Sequence, residues 1–182
     1  MTAVERLQRI FLQSLESGFG EPEWNRQPDR LYAPQRYILG MGGKRLRPVL
    51  SLMAAEALGK SATVALPAAH AVERFHNFSL IHDDIMDEAP VRRGKPTVHE
   101  TWGNNTAILS GDALLVMAYE SLRALPTSIL PEALEVFNRT ALEVCEGQQW
   151  DMDFETEDQV QEGQYVQMIR YKTSVLLGCA LE

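Results

Sequence analysis

Leu80-Ile81-His82-Asp83-Asp84-Ile85-Met86-Asp87-Glu88 carries three aspartates at i, i+1 and i+4. On a helix, i and i+4 share a face one turn apart, so Asp83 and Asp87 project together with Asp84 beside them. Carboxylates that converge in this way repel one another unless a cation lies between them. All-oxygen donors suit a hard cation such as Mg²⁺, which keeps several waters and is usually shared with substrate phosphates. The chain continues into Val91-Arg92-Arg93-Gly94-Lys95-Pro96. Its paired arginines have the side chain best shaped to grip a phosphate bidentately. An acidic cluster followed by a basic one reads as a site for a metal-bound polyphosphate. Acidic residues near a helix end are ordinarily a solvated face. Here the apolar Phe78, Leu80 and Ile81 bury this part of the helix, and buried carboxylates need partners. That favours a functional site.

Upstream, Thr63 can cap a helix running from Val64 to Asp87, with Pro67 in its first turn. His70, Glu73, His76, Asn77, Leu80, Asp83, Asp84 and Asp87 follow helical spacing along it. His76 lies two turns before Asp83, on the aspartate face and deeper in. A buried histidine is more often a satisfied core residue than a ligand, so His76 is read either way, as core or as a phosphate contact. Further upstream, Gly42-Gly43-Lys44-Arg45-Leu46-Arg47-Pro48 leads a glycine loop into a helix N-terminus. Such a junction offers free backbone N–H groups and the positive end of the helix dipole to an anion. Lys44 and Arg47 are three apart, on one face. The alternative is a flexible turn with solvated basic residues; a second basic cluster at Arg92-Arg93 favours the anion site. The spacing is not that of a nucleotide-binding P-loop.

The rest of the chain is read as helices. Val4, Leu7, Ile10, Phe11 and Leu15 mark the first. Gly18 to Pro28 is a loop. Leu31 to Leu39 is helical and ends at Gly40-Met41-Gly42-Gly43. Lys44 to Leu58 is the next helix, with Pro48 in its first turn. Glu88 to Pro96 is expected to be a polar connector. Asn104 to Leu125 and Leu130 to Gln149 are long helices, Asp151 to Glu162 an acidic loop, and Tyr165 onward helical again. No strand, repeat or low-complexity tract is expected, so the fold class is all-α, a helical bundle. Glu182 follows an apolar helix with no closing Gly, Asn or Pro, and the chain is expected to stop mid-helix.

The chain has 182 residues, 45% of them hydrophobic and 23% charged, an ordinary globular composition that supports one domain. It holds 17 basic and 25 acidic residues, for a net charge of −8. That argues against a general nucleic-acid binder and makes the local basic clusters stand out. Cys145 and Cys179 read as reduced core residues of a cytoplasmic protein. Met1 to Leu15, with Glu5, Arg6 and Arg9, is an amphipathic helix and not a signal peptide. No uncharged apolar run approaches about 18 residues, so no membrane insertion is expected.

Taken together, GGKRLRP at 42–48, LIHDDIMD at 80–87, RRGKPTVH at 92–99, SGDALL at 110–115, EGQQWD at 146–151 and Tyr171-Lys172-Thr173 resemble the trans-isoprenyl diphosphate synthases. That is the farnesyl/geranylgeranyl diphosphate synthase family. The motifs occur in the family's order and span nearly the whole chain. The resemblance implies a bundle of the isoprenoid synthase type with two diphosphate sites. An allylic diphosphate (dimethylallyl, geranyl or farnesyl) would be held through Mg²⁺ by Asp83, Asp84 and Asp87, and directly by Arg92 and Lys172, with Thr173 beside it. Isopentenyl diphosphate would be held without metal by Lys44, Arg47, His76 and Arg93. Ionisation of the allylic C–O bond, attack by the isopentenyl alkene and loss of a proton to the released diphosphate would complete a 1'-4 condensation. The family also implies a homodimer.

This sequence departs from the family pattern in one respect: no second DDxxD occurs after Asp87, and Asp151 and Asp153 stand in a different context. It is therefore expected to be the N-terminal part of such a synthase, incomplete at its C-terminal end and inactive alone. In the family, bulky residues one turn before the first aspartate floor the product pocket. Phe78 and Ser79 stand there, and the aspartate motif has no insertion, a pattern that resembles makers of C15–C20 products; otherwise Phe78 is simply core. Three rivals remain at this point. His82-Asp83, with His70 and His76 upstream, could belong to an HD-type metal phosphohydrolase, whose histidines favour transition metals. A class I terpene cyclase also uses DDxxD, but takes one diphosphate. A non-catalytic subunit that modulates a full-length synthase would explain the missing second motif.

Overall fold

The structure, a computed structural model, describes residues 1–17 and 26–182; residues 18–25 of the expected Gly18–Pro28 loop lie outside the described residues. The helices are α1 (Ala3–Glu16), α2 (Asp29–Gly40), α3 (Leu46–Ala57), α4 (Leu66–Met86), α5 (Val98–Trp102), α6 (Asn104–Leu122), α7 (Leu130–Phe154), α8 (Glu162–Ile169) and α9 (Val175–Cys179). α4 is the axis of the bundle. It lies along α6 over most of its length, with α3 on another side and α1, α5 and α9 touching it more briefly. Leu7, Phe11, Ile38, Leu52, Ile81 and Leu114 form one part of the core, and Val72, Phe75, Leu122, Phe137, Val144 and Leu176 the other. Burial on all sides explains why α4 has so weak an apolar stripe. It also explains why its polar residues are paired: Glu73 is 3% exposed and forms an ion pair with Arg45. Asn77 donates to the Glu73 carbonyl at 2.8 Å.

Several sequence-based boundaries change. Ser61, not Thr63, does the capping: its hydroxyl accepts from the Thr63 N–H in a 3₁₀ turn over Ala62–Ala65, and α4 begins only at Leu66. The expected polar connector contains a hairpin, β1 (Val91–Arg92) against β2 (Lys95–Pro96). Arg93 (φ 52°) and Gly94 (φ 75°) supply the two left-handed positions that a two-residue turn of this kind requires. Two-residue strands are too short to show an alternating pattern, so sequence reading missed them. Thr97 locks the base of the hairpin by donating to the Ala89 carbonyl at 2.8 Å, and Tyr37 of α2 donates to the Pro96 carbonyl at 2.8 Å.

The acidic segment expected to be a loop continues α7 to Phe154, so Asp151 and Asp153 are helical. The final helical stretch is not continuous α-helix either. A π-helical turn over Arg170–Ser174 joins α8 to α9. Cys145 is exposed and Cys179 half-buried, which corrects the expectation that both are core residues. Among the described residues no helix is long and apolar enough to cross a membrane.

Candidate active site

The C-terminal half of α4 forms one wall of the site. Asp84 faces inward, 2% exposed, and both its carboxylate oxygens accept from Arg92 Nε at 2.9 Å. Arg92 is delivered by β1, just before the turn, and its Nη2 lies 3.3 Å from Asp83 Oδ2. Burial disfavours the Arg92 charge, but the bond and charge of Asp84, helped by Asp83 and Asp87, hold the guanidinium above its usual pKa.

Lys172 arrives from the opposite side. Its Nζ lies 3.1 Å from Asp83 Oδ1 and also donates to Asp151 of α7. Burial pulls its pKa down, but the bonds to Asp151 and Asp83 win and raise it. The π-turn puts it there. A side chain on Gly147 would place its Cβ 2.3 Å from the Lys172 backbone nitrogen. Only glycine lets α7 and the π-turn approach so closely. Trp150 stacks on Tyr171 at 5.3 Å across the same contact. π-Turns inside helices are frequent at functional sites.

Asp87 ends α4 one turn beyond Asp83. Partial burial raises its pKa first, then repulsion from Asp83, with Asp151 and Glu155 adding to it and Lys172 opposing. A cation between these carboxylates would relieve that repulsion, so the donor chemistry fits Mg²⁺. Among the described residues no three acidic, histidine or cysteine side chains already converge on an ion position. Asp83 and Asp84 are instead turned onto Arg92 and Lys172.

A cavity of about 410 Å³ opens at this mouth and runs between α4 and α7. Arg47, His76, His82, Asp83, Gln148, Gln149 and Lys172 supply much of its polar lining; Phe75, Phe78, Met86, Val144, Met152 and Leu176 supply most of the apolar lining. Ser79 and Thr173 also reach it. Beside it lies a second cavity of about 400 Å³, lined by Gly43, Lys44, Arg45, Leu46, Arg47, Glu73, His76 and Arg93. Arg47 and His76 belong to both.

The second cavity is short of negative charge. Lys44, Arg47 and Arg93 form no ion pair among the described residues. Arg47 donates to His76 Nε2 at 3.2 Å, and Arg93 donates to the Gly42 carbonyl. Gly43, at φ +126°, leaves room for the Arg93 guanidinium, which a Cβ would approach to 2.9 Å. Desolvation lowers the pKa of Arg47 and of Arg93, with Glu73 opposing in each case. His76 is pushed down to about 3 by burial first, then by Arg47, Arg93, Arg92 and Arg45, so it is neutral at pH 7. A pocket of desolvated cations with a neutral histidine recognises an anion and needs no metal to do so.

The histidines of the phosphohydrolase rival do not converge. His70 meets Ser14 at 2.8 Å, His76 meets Arg47, and His82 turns to the Ile108 carbonyl of α6 at 3.2 Å.

Residues 28–182 match the family model described as polyprenyl synthetase. The chain belongs to the polyprenyl synthetase family. Within it, the chain is 49% identical over 157 residues to a geranylgeranyl diphosphate synthase of Methanosarcina mazei, covering 85% of this chain and 48% of that protein. It is 40% identical over 172 residues to a geranylfarnesyl diphosphate synthase of Natronomonas pharaonis, covering 85% and 50%. A crystal structure of a geranylgeranyl pyrophosphate synthase superposes with a TM-score of 0.94 at 53% identity, covering all of this chain and 54% of that one. The geranylgeranyl pyrophosphate synthetase of Geoglobus acetivorans gives 0.93 at 42% identity, covering 99% and 58%. The polyprenyl synthetase chain described here spans about half the length of the curated relatives it matches, and shares their all-α isoprenoid synthase fold.

Sequence reading does not single out two residues that the structure brings to this candidate site. The acidic surroundings of Asp151 read as a loop, and only the packing of α7 on the π-turn brings it to Lys172. Cys145, read as core, lines the larger cavity. The glycine of EGQQWD was the one available signal, since a glycine inside a long helix points to a close approach.

Proposed function

We propose that residues 1–182 form the diphosphate-binding part of a prenyltransferase that condenses isopentenyl diphosphate with an allylic diphosphate, head to tail, to a short-chain product of C15–C20. The observation that carries this reading is the pair of adjoining cavities that share Arg47 and His76. One has Asp83 and its partner Lys172 at its mouth and continues into an apolar channel. The other gathers Lys44, Arg45, Arg47 and Arg93 around a single carboxylate, Glu73, which is paired with Arg45.

Asp83 and Asp87, with Asp84 behind them, would hold Mg²⁺, which when bound supplies charge neutralisation of the leaving diphosphate. Arg92 and Lys172 grip the same diphosphate once its oxygens replace Asp83 and Asp84 as their partners. Lys44, Arg47 and Arg93 hold the isopentenyl diphosphate, and His76, neutral, contributes a hydrogen bond without adding charge. Thr173 lies beside Lys172 at the mouth. Sharing Arg47 and His76 sets the two reactants side by side, which is where most of the rate would come from. Phe75, Met86, Val144 and Leu176 keep water from the allylic cation, and Phe78 receives the growing tail. The diphosphate released by the reaction is the base nearest the proton that must leave.

Exposed apolar residues on α6, Leu109 (60%) and Val116 (62%), support self-association into a homodimer. The net charge of −8 disfavours general nucleic-acid binding, and a cytoplasmic location without stable membrane insertion goes with this reading. The test is a prenyl-transfer assay with Mg²⁺, isopentenyl diphosphate and allylic partners of rising length. It is run on the 182-residue chain and on the full-length gene product, with sedimentation to read the assembly. Prenyl diphosphates from the full-length protein, and longer ones from its Phe78→Ala variant, are expected. No prenyl product from either protein would refute the reading.

A further inference from the structure

Gly111 sits in α6 where α4 crosses it. A Cβ there would stand 2.5 Å from His82 Nε2, 2.6 Å from His82 Cδ2 and 3.6 Å from Phe78 Cδ2. The missing side chain is therefore what admits the imidazole. Once seated, the ring is held from that side: Nε2 lies 3.2 Å from the Ile108 carbonyl oxygen and 3.5 Å from Asp112 Oδ1, both within a turn of Gly111. Its other neighbour is Phe78, edge-on at 4.7 Å between centroids, and Phe78 leans on Phe75 at 5.5 Å.

Phe75, Phe78, His82 and Met86 recur at helical spacing, and all four line the 410 Å³ cavity. No residue of α6 lines it. The Phe78–His82 pair is thus the partition between the cavity and α6, and Gly111 is the notch into which that partition is drawn back. A methyl at position 111 must displace a ring that α6 blocks on one side and Phe78 braces on another. The cavity, which His82 already lines, offers a direction for that displacement.

We propose that Gly111 sets the depth of the cavity by seating His82, and through it decides how long a prenyl tail the site accepts. This deepens the prenyl-transfer reading and rests on it for the identity of the tail. Gly111 does not line the 410 Å³ cavity, so it is a positioning residue that acts through His82.

The test is calorimetric, on the full-length gene product in Mg²⁺ buffer. Binding of saturated alkyl diphosphates of increasing tail length is compared for the parent, Gly111→Ala, His82→Ala and the double variant. Gly111→Ala should weaken the longest tail that the parent binds by about tenfold or more, equivalent to roughly two methylenes denied burial. It should leave the shortest tail almost unchanged. Adding His82→Ala should restore the long tail, and His82→Ala alone should admit a longer one. An unchanged length limit in Gly111→Ala, an equal loss at every length, or a double variant that keeps the shorter limit would overturn the proposal. Should Gly111→Ala fail to fold, His82→Ala decides alone: an unmoved limit refutes the partition. A parent that binds the tails but makes no prenyl product would refute the prenyl-transfer reading and leave the partition judged by its own binding data.

Discussion

The two cavities differ in how their charge is balanced. At the mouth of the larger one, Arg92 and Lys172 pair with Asp83, Asp84 and Asp151, so the acidic charge is only partly balanced from within and Asp87 still feels it. In the basic cavity Arg93 donates to the Gly42 carbonyl and Arg47 to a neutral histidine, and Lys44, Arg47 and Arg93 form no ion pair among the described residues. A cluster whose cations are already paired must exchange partners to take a ligand, which under the proposed function would distinguish a metal-bound diphosphate from a free one. An uncompensated cluster gains from any diphosphate that enters it. Under the proposed function, this difference is how one short stretch of chain would hold two similar substrates in different roles.

The largest effect should come from the acidic side. Asp83→Ala is expected to lower turnover of the full-length protein by about a thousandfold, in line with loss of a principal electrostatic group. Thermal unfolding should barely move, since Lys172 keeps Asp151. A variant with parental turnover would remove Asp83 from the mechanism.

Gly147→Ala probes the scaffold beneath that side. A Cβ 2.3 Å from a backbone nitrogen cannot be relieved by a side-chain rotation. The expected cost is about 3 kcal/mol, at the upper end for overpacking. A melting temperature lower by roughly 6–12 °C would report it. An unchanged melting curve would show that the π-turn is not held by this contact.

On the basic side, Arg47→Met should weaken isopentenyl diphosphate about 10- to 100-fold, the weight of a charged hydrogen bond. The same loss should appear with and without Mg²⁺ when binding is measured by calorimetry. A loss confined to Mg²⁺-containing buffer would mean that the two cavities have been assigned the wrong way round.

The smallest effect is one of pH. His70 and His76 both have folded-state values of about 3 against an ordinary 6.5, His70 through burial and then Arg74. Above pH 6.5 neither folded nor unfolded chain protonates them, and stability is full. As pH falls from 6.5 toward 3 the unfolded chain takes up protons that the folded chain refuses, and stability declines. Each histidine should cost up to about 1.4 kcal/mol per pH unit over that window. His76→Gln should remove part of the slope in denaturant titrations between pH 6.5 and 5. An unaltered slope would show that His76 is protonated in the folded state.

Much of the site was legible because its chemistry is local in sequence. Asp83 and Asp87 lie one helical turn apart, Lys44 and Arg47 follow a glycine loop, and Arg92-Arg93 sit in one turn. Each grouping is set by backbone periodicity over a few residues. The long helices were legible for the same reason, through apolar repeats. The errors fell where local composition and packing disagree. Asp151 to Phe154 looks like a loop by composition, yet the segment is helical because one face of α7 packs on the π-turn. The hairpin is too short for a pattern to show.

The sequence by itself determined an all-α bundle, the family, and the membership of the acidic and basic clusters. Only the tertiary structure decided that Lys172 meets Asp83 and Asp151, that Arg47 and His76 serve two cavities, and that Gly111 and Gly147 are points of closest approach. The physical reason is that periodicity and charge are written along one chain segment. Which segments touch is decided by how much apolar surface each pairing buries, and by where a missing Cβ lets two backbones come near.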